Sequence, residues 1–233
     1  MIVRRPTVIL FDVDGTLVRC GGAGRSALRA ALSDLYDARD DVFPSDFGGR
    51  TDRALVREAL MGLGMTGAGP DIERAIDAVN ARYLTRLAET LRATTEYRVL
   101  PGVRELLGRI GDVANVAVGL GTGNVRAGAF AKLARGGLAE AFSFGGFGCD
   151  AENRADLLNI GAERGAHELG VERIACRVVV VGDTPRDVTA ARAIGAECLA
   201  VATGGSSLGE LDAAGATHTV AHLAEPSAFA ALA

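Results

Sequence analysis

The sequence predicts an α/β protein built on a doubly wound, mostly parallel sheet, with a second, all-helical domain inserted into it. Three observations carry this. Apolar runs such as Val8-Ile9-Leu10-Phe11, Val116-Ala117-Val118-Gly119-Leu120 and Val178-Val179-Val180-Val181 each end at small or polar residues. Segments with helical spacing separate them, and parallel strands need such crossovers. Between residues 18 and 96 three helical patterns follow one another with no strand between them, so the alternation is interrupted by an insertion.

Taken in order, Val8–Phe11 is a buried strand that stops at Asp12-Val13-Asp14-Gly15-Thr16-Leu17. Gly21, Gly22 and Gly24 make a flexible exit. Ser26 to Tyr36 then places Ala27, Leu28, Ala31, Leu32 and Leu35 at helical spacing. Thr51 to Leu63 and Asp71 to Leu91 continue the pattern, the second opened by Pro70-Asp71. Alternation resumes after Tyr97–Leu100 and the break at Pro101-Gly102, with a helix from Val103 to Ile110. The candidate domains are therefore a core of residues 1–17 and 97–233 and an insertion of residues 18–96, joined by two linkers that permit a hinge.

The strand Val116–Leu120 ends in Gly121-Thr122-Gly123-Asn124, and a helix follows from Val125 to Ala134. A weaker strand is expected at Ala141–Phe144, then a polar segment, Cys149 to Arg154, and a helix from Ala155 to Leu169. Arg177–Asp183 is the clearest strand, β-branched and closed by an aspartate. It leads through Thr184-Pro185-Arg186-Asp187 into a helix from Val188 to Ile194, closed by Gly195. Cys198–Ala202 is the last interior strand, and Thr217–Val220 is an edge strand. If the strands ending at Asp12, Thr122 and Asp183 are neighbours, their ends converge at one sheet edge, where ligands of open α/β sheets bind.

Composition narrows the function. The 233 residues are 48% apolar, enough for a large core, and the net charge of −4 with scattered basic residues offers no nucleic-acid surface. Cys20, Cys149, Cys176 and Cys198 are far apart in sequence, with no metal-like spacing. They read as reduced thiols of a cytoplasmic protein, with Cys176 and Cys198 packed near strands. Met1 to Pro6 runs straight into the first strand and does not read as a signal peptide. No apolar run approaches the ~20 residues that span a bilayer. Lys132 is the one lysine among 25 basic residues, and it reads as a surface residue of its helix.

The chemistry is concentrated at the strand ends. Carboxylates at i and i+2 of an extended segment point the same way, so Asp12 and Asp14 face one pocket. Such a pair holds a cation, shares a proton, or divides the roles of nucleophile and acid/base. Asp183 and Asp187 add oxygen donors of the kind Mg²⁺ prefers. Thr122-Gly123-Asn124 offers a hydroxyl and backbone N–H donors at a helix start, an anion site. Together these describe phosphoryl transfer.

Asp12-Val13-Asp14-Gly15-Thr16-Leu17 resembles the first motif of the haloacid dehalogenase-like superfamily, in the branch of phosphoglycolate phosphatase and β-phosphoglucomutase, which carries a helical cap. The resemblance implies Asp12 as the nucleophile that becomes an aspartyl-phosphate, and Asp14 as the acid that protonates the leaving alcohol and then activates water. Thr122 is similar to the hydroxyl of the second motif that binds phosphoryl oxygens. Gly182-Asp183-Thr184-Pro185-Arg186-Asp187 resembles the fourth, in which Asp183 binds Mg²⁺ with the Asp12 carboxylate and the Asp14 backbone carbonyl, while Asp187 supports them from behind. The third motif departs from the family, which usually has a lysine there. Arg154 is the candidate in its place, a bulkier group able to grip phosphate bidentately.

Gly48-Gly49-Arg50-Thr51-Asp52 resembles a segment of phosphoglycolate-phosphatase-like caps. Arg50 is then placed to meet an anionic group of the substrate, and Thr51 equally reads as the cap of the following helix. Thr122, Gly123, Asn124, Arg154 and Arg50 make up the expected substrate site. The implied activity is Mg²⁺-dependent hydrolysis of a small phosphorylated metabolite by a monomer or homodimer, with no nucleic-acid or membrane partner. The alternatives are a phosphomutase of the β-phosphoglucomutase type and a haloacid dehalogenase. Dehalogenases of the superfamily generally lack the second aspartate, so Asp14 argues against the latter. Schiff-base phosphonate cleavage needs a cap lysine, which the insertion lacks.

Overall fold

Every residue of β1 (Thr7–Phe11) is buried, because the strand has a neighbour on each side and a layer on each face. It pairs in parallel with β4 (Val116–Thr122) and with β6 (Arg177–Gly182), Ile9 lying between Val118 and Val179. The computed structural model describes residues 5–39, 42–43 and 47–233. Residues Met1 to Arg4, read above as part of the lead into the first strand, lie outside the described residues. The sheet has the order β5-β4-β1-β6-β7-β8, where β5 is Gly145–Phe147, β7 is Glu197–Val201 and β8 is His218–Val220. All of its pairings are parallel.

Alternation along β1 sends its side chains to two apolar clusters. Ile9 and Phe11 join one with α4 (Val103–Gly111), α5 (Arg126–Arg135) and α9 (Pro226–Leu232). Val8 and Leu10 join the other with α6 (Arg154–Glu168), α7 (Pro185–Ala193) and α8 (Leu208–Ala213). Helices thus cover both faces, the doubly wound arrangement. Cys176 and Cys198 pack in the second cluster, as expected of small apolar side chains, and no cysteine is disulfide-bonded.

The inserted helices are α1 (Ala23–Tyr36), α2 (Asp52–Gly62) and α3 (Pro70–Ala93). They lie between two short strands, β2 (Val18–Cys20) and β3 (Tyr97–Val99), which pair with each other antiparallel. Their buried faces, with Leu28, Leu32, Ile76 and Tyr83, are continuous with the first apolar cluster.

Several expectations need correction. The strand placed at Ala141–Phe144 is a 3₁₀ turn, Ala139–Ala141, followed by β5 at Gly145–Phe147. The reason is steric: a Cβ on Gly146 would stand 1.8 Å from the Leu157 carbonyl oxygen of α6, so bulk cannot mark this strand. The helix read from Ser26 starts three residues earlier, after Gly22 at φ 78°. The helices α8 and α9 were not expected from the periodicity. Among the described residues no helix is long and apolar enough to cross a membrane.

Candidate active site

Asp12 follows the last residue of β1, and its N–H donates to Val181 O at 2.8 Å, which continues the sheet pairing one step past the strand. The chain then turns sharply, with Leu17 N–H and Val18 N–H both donating to Val13 O. Gly15 makes that turn possible at φ +86°, and a Cβ there would lie 2.4 Å from Asp183 Oδ2. Thr16 Oγ1 donates to Asp183 Oδ1 at 3.0 Å. From the other side Gly204, beyond β7, comes so near that a Cβ would sit 1.6 Å from Asp183 Oδ2. The Asp183 carboxylate is therefore boxed in by backbone.

At the end of β4, the fully buried Thr122 accepts a hydrogen bond at Oγ1 from Asn124 Nδ2 at 2.9 Å. The same amide nitrogen donates to Asp14 Oδ2 at 2.9 Å. Lys132 Nζ, reaching in from α5, is 2.5 Å from Asp14 Oδ2 and 2.6 Å from Asn124 Oδ1. This corrects the sequence reading of Lys132 as a surface residue. It is 4% exposed and lies on the same helix face as the buried Ala129 and Leu133. Its neighbours on α5 were the available signal, since a lysine on the apolar stripe of a helix must find a buried partner.

At the end of β6, Thr184 caps α7 in a reciprocal box: its Oγ1 accepts from Asp187 N–H, and its own N–H donates to Asp187 Oδ2 at 3.0 Å. Arg154, the first residue of α6, extends its guanidinium between two carboxylates. Its Nη2 is 3.2 Å from Asp12 Oδ2 and also pairs with Asp187 Oδ1. Carboxylate oxygens of Asp12, Asp183 and Asp187 all lie within 4.8 Å of one another.

Crowding sets the electrostatics. Burial pushes the Asp12 carboxyl up to about 6, with Arg154 opposing and the Asp187 and Asp14 charges adding to the rise. Asp183 is driven well above the usual carboxylate range by burial and then by Asp187 and Asp12, against the Thr16 hydrogen bond and Arg154. Three buried carboxylates facing one arginine are short of positive charge. That donor set, hard oxygens around a single point, fits a divalent cation such as Mg²⁺.

The insertion closes the other side. Asp52, the first residue of α2, accepts from Val125 N–H at 2.9 Å, and its own N–H donates to Gly123 O at 2.8 Å. Burial raises its carboxyl to about 6, with Lys132 and the Val125 hydrogen bond opposing. Gly123 is pressed between segments, a Cβ there meeting Arg50 O at 2.3 Å. Thr51 caps α2 by accepting from Ala54 N–H, the role read for it in the sequence. Arg50 lines the cavity, but its guanidinium is paired with Glu58.

The resulting cavity, of about 310 Å³, is lined by Asp12, Asp14, Thr122 and Asp183 and also by Arg19, Arg25 and Arg50. Asp12, Asp14, Thr122, Asn124, Arg154, Asp183 and Asp187 are brought together, and Gly123 contributes backbone. Asp52, Lys132 and Thr16 were missed as site residues, because the partners that give them a part in the site are brought beside them by folding.

Comparison with known proteins gives the family. The model of the haloacid dehalogenase-like hydrolase family matches residues 6–195. A phosphoglycolate phosphatase from Rhodospirillum rubrum is 31% identical over 206 residues, 85% of this chain and 80% of that one. Among solved structures, CbbY from Rhodobacter sphaeroides, in complex with phosphate, has a TM-score of 0.66 at 21% identity over 97% of this chain and 98% of the other. A haloacid dehalogenase-like family hydrolase from Streptococcus pneumoniae has a TM-score of 0.63 at 18% identity over 96% and 97%. At such identities the two structures speak for a shared fold. With the family model covering the helical insertion and the sheet strands from β1 to β6, this chain belongs to the haloacid dehalogenase-like hydrolases.

Proposed function

We propose that the chain is a Mg²⁺-dependent phosphatase of small phosphate monoesters, working through an aspartyl-phosphate on Asp12. The observation that carries this is the pairing of two unlike carboxylates at one strand end: the Asp12 side chain is 8% exposed beside Arg154, while that of Asp14 is 44% exposed toward the cavity. A buried carboxylate held next to a fixed cation suits in-line attack on phosphorus. A carboxylate open to the cavity suits proton exchange with the leaving group and with water.

In this reading an oxygen of Asp12 attacks phosphorus, and the bond to the ester oxygen breaks as that oxygen takes a proton from Asp14. Asp14 then removes a proton from the water that hydrolyses the aspartyl-phosphate. Thr122 and the backbone of Gly123 and Asn124 receive the phosphoryl oxygens, and Arg154 balances their charge. Asp12, Asp183 and the Asp14 carbonyl would hold Mg²⁺, with Asp187 bracing Arg154 behind them. When bound, the cation neutralises charge on the transferring group. Residues 18–96 act as the cap that excludes water, over a core of residues 1–17 and 97–233. Unpaired cysteines fit a cytoplasmic setting.

The 31%-identical relative is named for phosphoglycolate, and Arg25 at the cavity wall suits a carboxylate beyond the phosphate, so this ester is the first to test. Phosphate release from phosphoglycolate and p-nitrophenyl phosphate is expected with Mg²⁺, lost on chelation, and reduced at least ~10³-fold in Asp12→Asn. No release across a panel of phosphate monoesters would overturn the reading.

A further inference from the structure

Lys132 has no part in the reaction as drawn above, yet it is a buried ion at the centre of the site. Gly24 at the start of α1 lies over it, so near that a Cβ there would stand 3.1 Å from Nζ and 3.7 Å from the Tyr83 hydroxyl of α3. An enclosed ammonium is costly unless its hydrogen bonds are made. Here they go to Asp14 Oδ2 at 2.5 Å and Asn124 Oδ1 at 2.6 Å, and Asn124 Nδ2 returns to Asp14 Oδ2 at 2.9 Å. Lys132, Asn124 and Asp14 thus form a closed triangle, in which one oxygen of the half-exposed carboxylate is gripped by two donors.

We propose that Lys132 is the positioning residue for Asp14: it fixes the carboxylate's rotation so that the transferable proton sits on Oδ1 and meets the ester oxygen. The inference rests on the reading of Asp14 as acid/base. A grip on Oδ2 leaves the acid proton only the other oxygen. As the phosphorus–oxygen ester bond breaks, the departing oxygen takes the Oδ1 proton, and the carboxylate left behind remains paired with the Lys132 ammonium until water returns a proton.

The dependence on leaving group separates positioning from general support of the fold. p-Nitrophenolate departs without a proton, whereas an alkoxide does not. In Lys132→Met, kcat/KM toward an alkyl ester such as phosphoglycolate should fall ~10²-fold, and toward p-nitrophenyl phosphate less than ~10-fold. The ratio kcat/KM excludes the later hydrolysis of the aspartyl-phosphate, which is common to both esters. Adding Lys132→Met to Asp14→Asn should cost little further activity toward the alkyl ester, since both act on one proton transfer. Lys132→Gln carries the same comparison if the methionine variant does not fold. Equal losses on the two esters, or full additivity with Asp14→Asn, would overturn the proposal. Wild-type protein inactive on both esters would instead overturn the phosphatase reading itself.

Discussion

A single methyl group can report on how Asp183 is held. At Gly204 a Cβ would overlap Asp183 Oδ2, whereas at Gly205 nothing lies within 4 Å. Gly204→Ala should therefore displace the carboxylate and raise the Mg²⁺ concentration for half-maximal binding, read by titration calorimetry, by ~10-fold or more. Gly205→Ala should leave it unchanged. Equal behaviour of the two variants would show that Asp183 is not confined in this way. At this scale the sequence was most legible where chemistry coincides with a strand end: Asp12, Asp14, Thr122 and Asp183 stand at the ends of apolar runs. Asp52 was illegible for the opposite reason: it is an ordinary first-turn residue until α2 docks, and its burial is a property of the assembled packing. Lys132 left one signal, the apolar helix face it shares with Ala129 and Leu133, but its partners Asp14 and Asn124 come beside it only on folding.

Helices of the insertion were legible from their spacing, and their contacts give a pH-dependent prediction. Asp34 on α1 accepts from Arg82 Nε at 2.5 Å and from Arg86 Nη2 at 2.7 Å, both on α3. The hydrogen bond from Arg86, then that from Arg82, holds its carboxyl down at about 2, below the ordinary 3.8. A carboxyl depressed in the folded state binds fewer protons than in the unfolded chain. Its stabilising effect is complete above 3.8 and is lost as pH falls through about 2. Asp34→Asn should flatten the fall in thermal midpoint between pH 4 and pH 2, and an unchanged slope would refute the link. Strand β5 escaped prediction because glycine, the residue its close contact with α6 demands, is the one that propensity counts against a strand.

For the molecule as a whole, an ionic tie joins the insertion to the sheet layer. Arg57 of α2 grips Glu152, in the loop before α6, at 2.9 and 2.6 Å, and also reaches Glu73 of α3 at 2.5 Å. Thr51 Oγ1 adds a hydrogen bond to the Glu152 carbonyl at 3.0 Å. Glu152→Ala should lower stability by about 1 kcal/mol in low salt and by less as salt is raised, measured by urea unfolding, because partly exposed ion pairs are weak and screened. A loss that does not shrink with salt would point to packing instead. The alternation that announces the sheet was legible at this scale. The tie was not, since its partners are charges scattered along the chain.

The place of β1 in the middle of the sheet also has a consequence for biosynthesis. Thr7 pairs with Val116 on one side and Arg177 on the other, so both flanking strands are translated long after it. At ribosomal speeds the bare Thr7-Val8-Ile9-Leu10-Phe11 segment waits on the order of ten seconds for its first neighbour. During that interval the nascent polypeptide exposes an apolar strand with both edges unpaired, and a product terminated before Arg177 leaves β1 with one open edge and no Asp183.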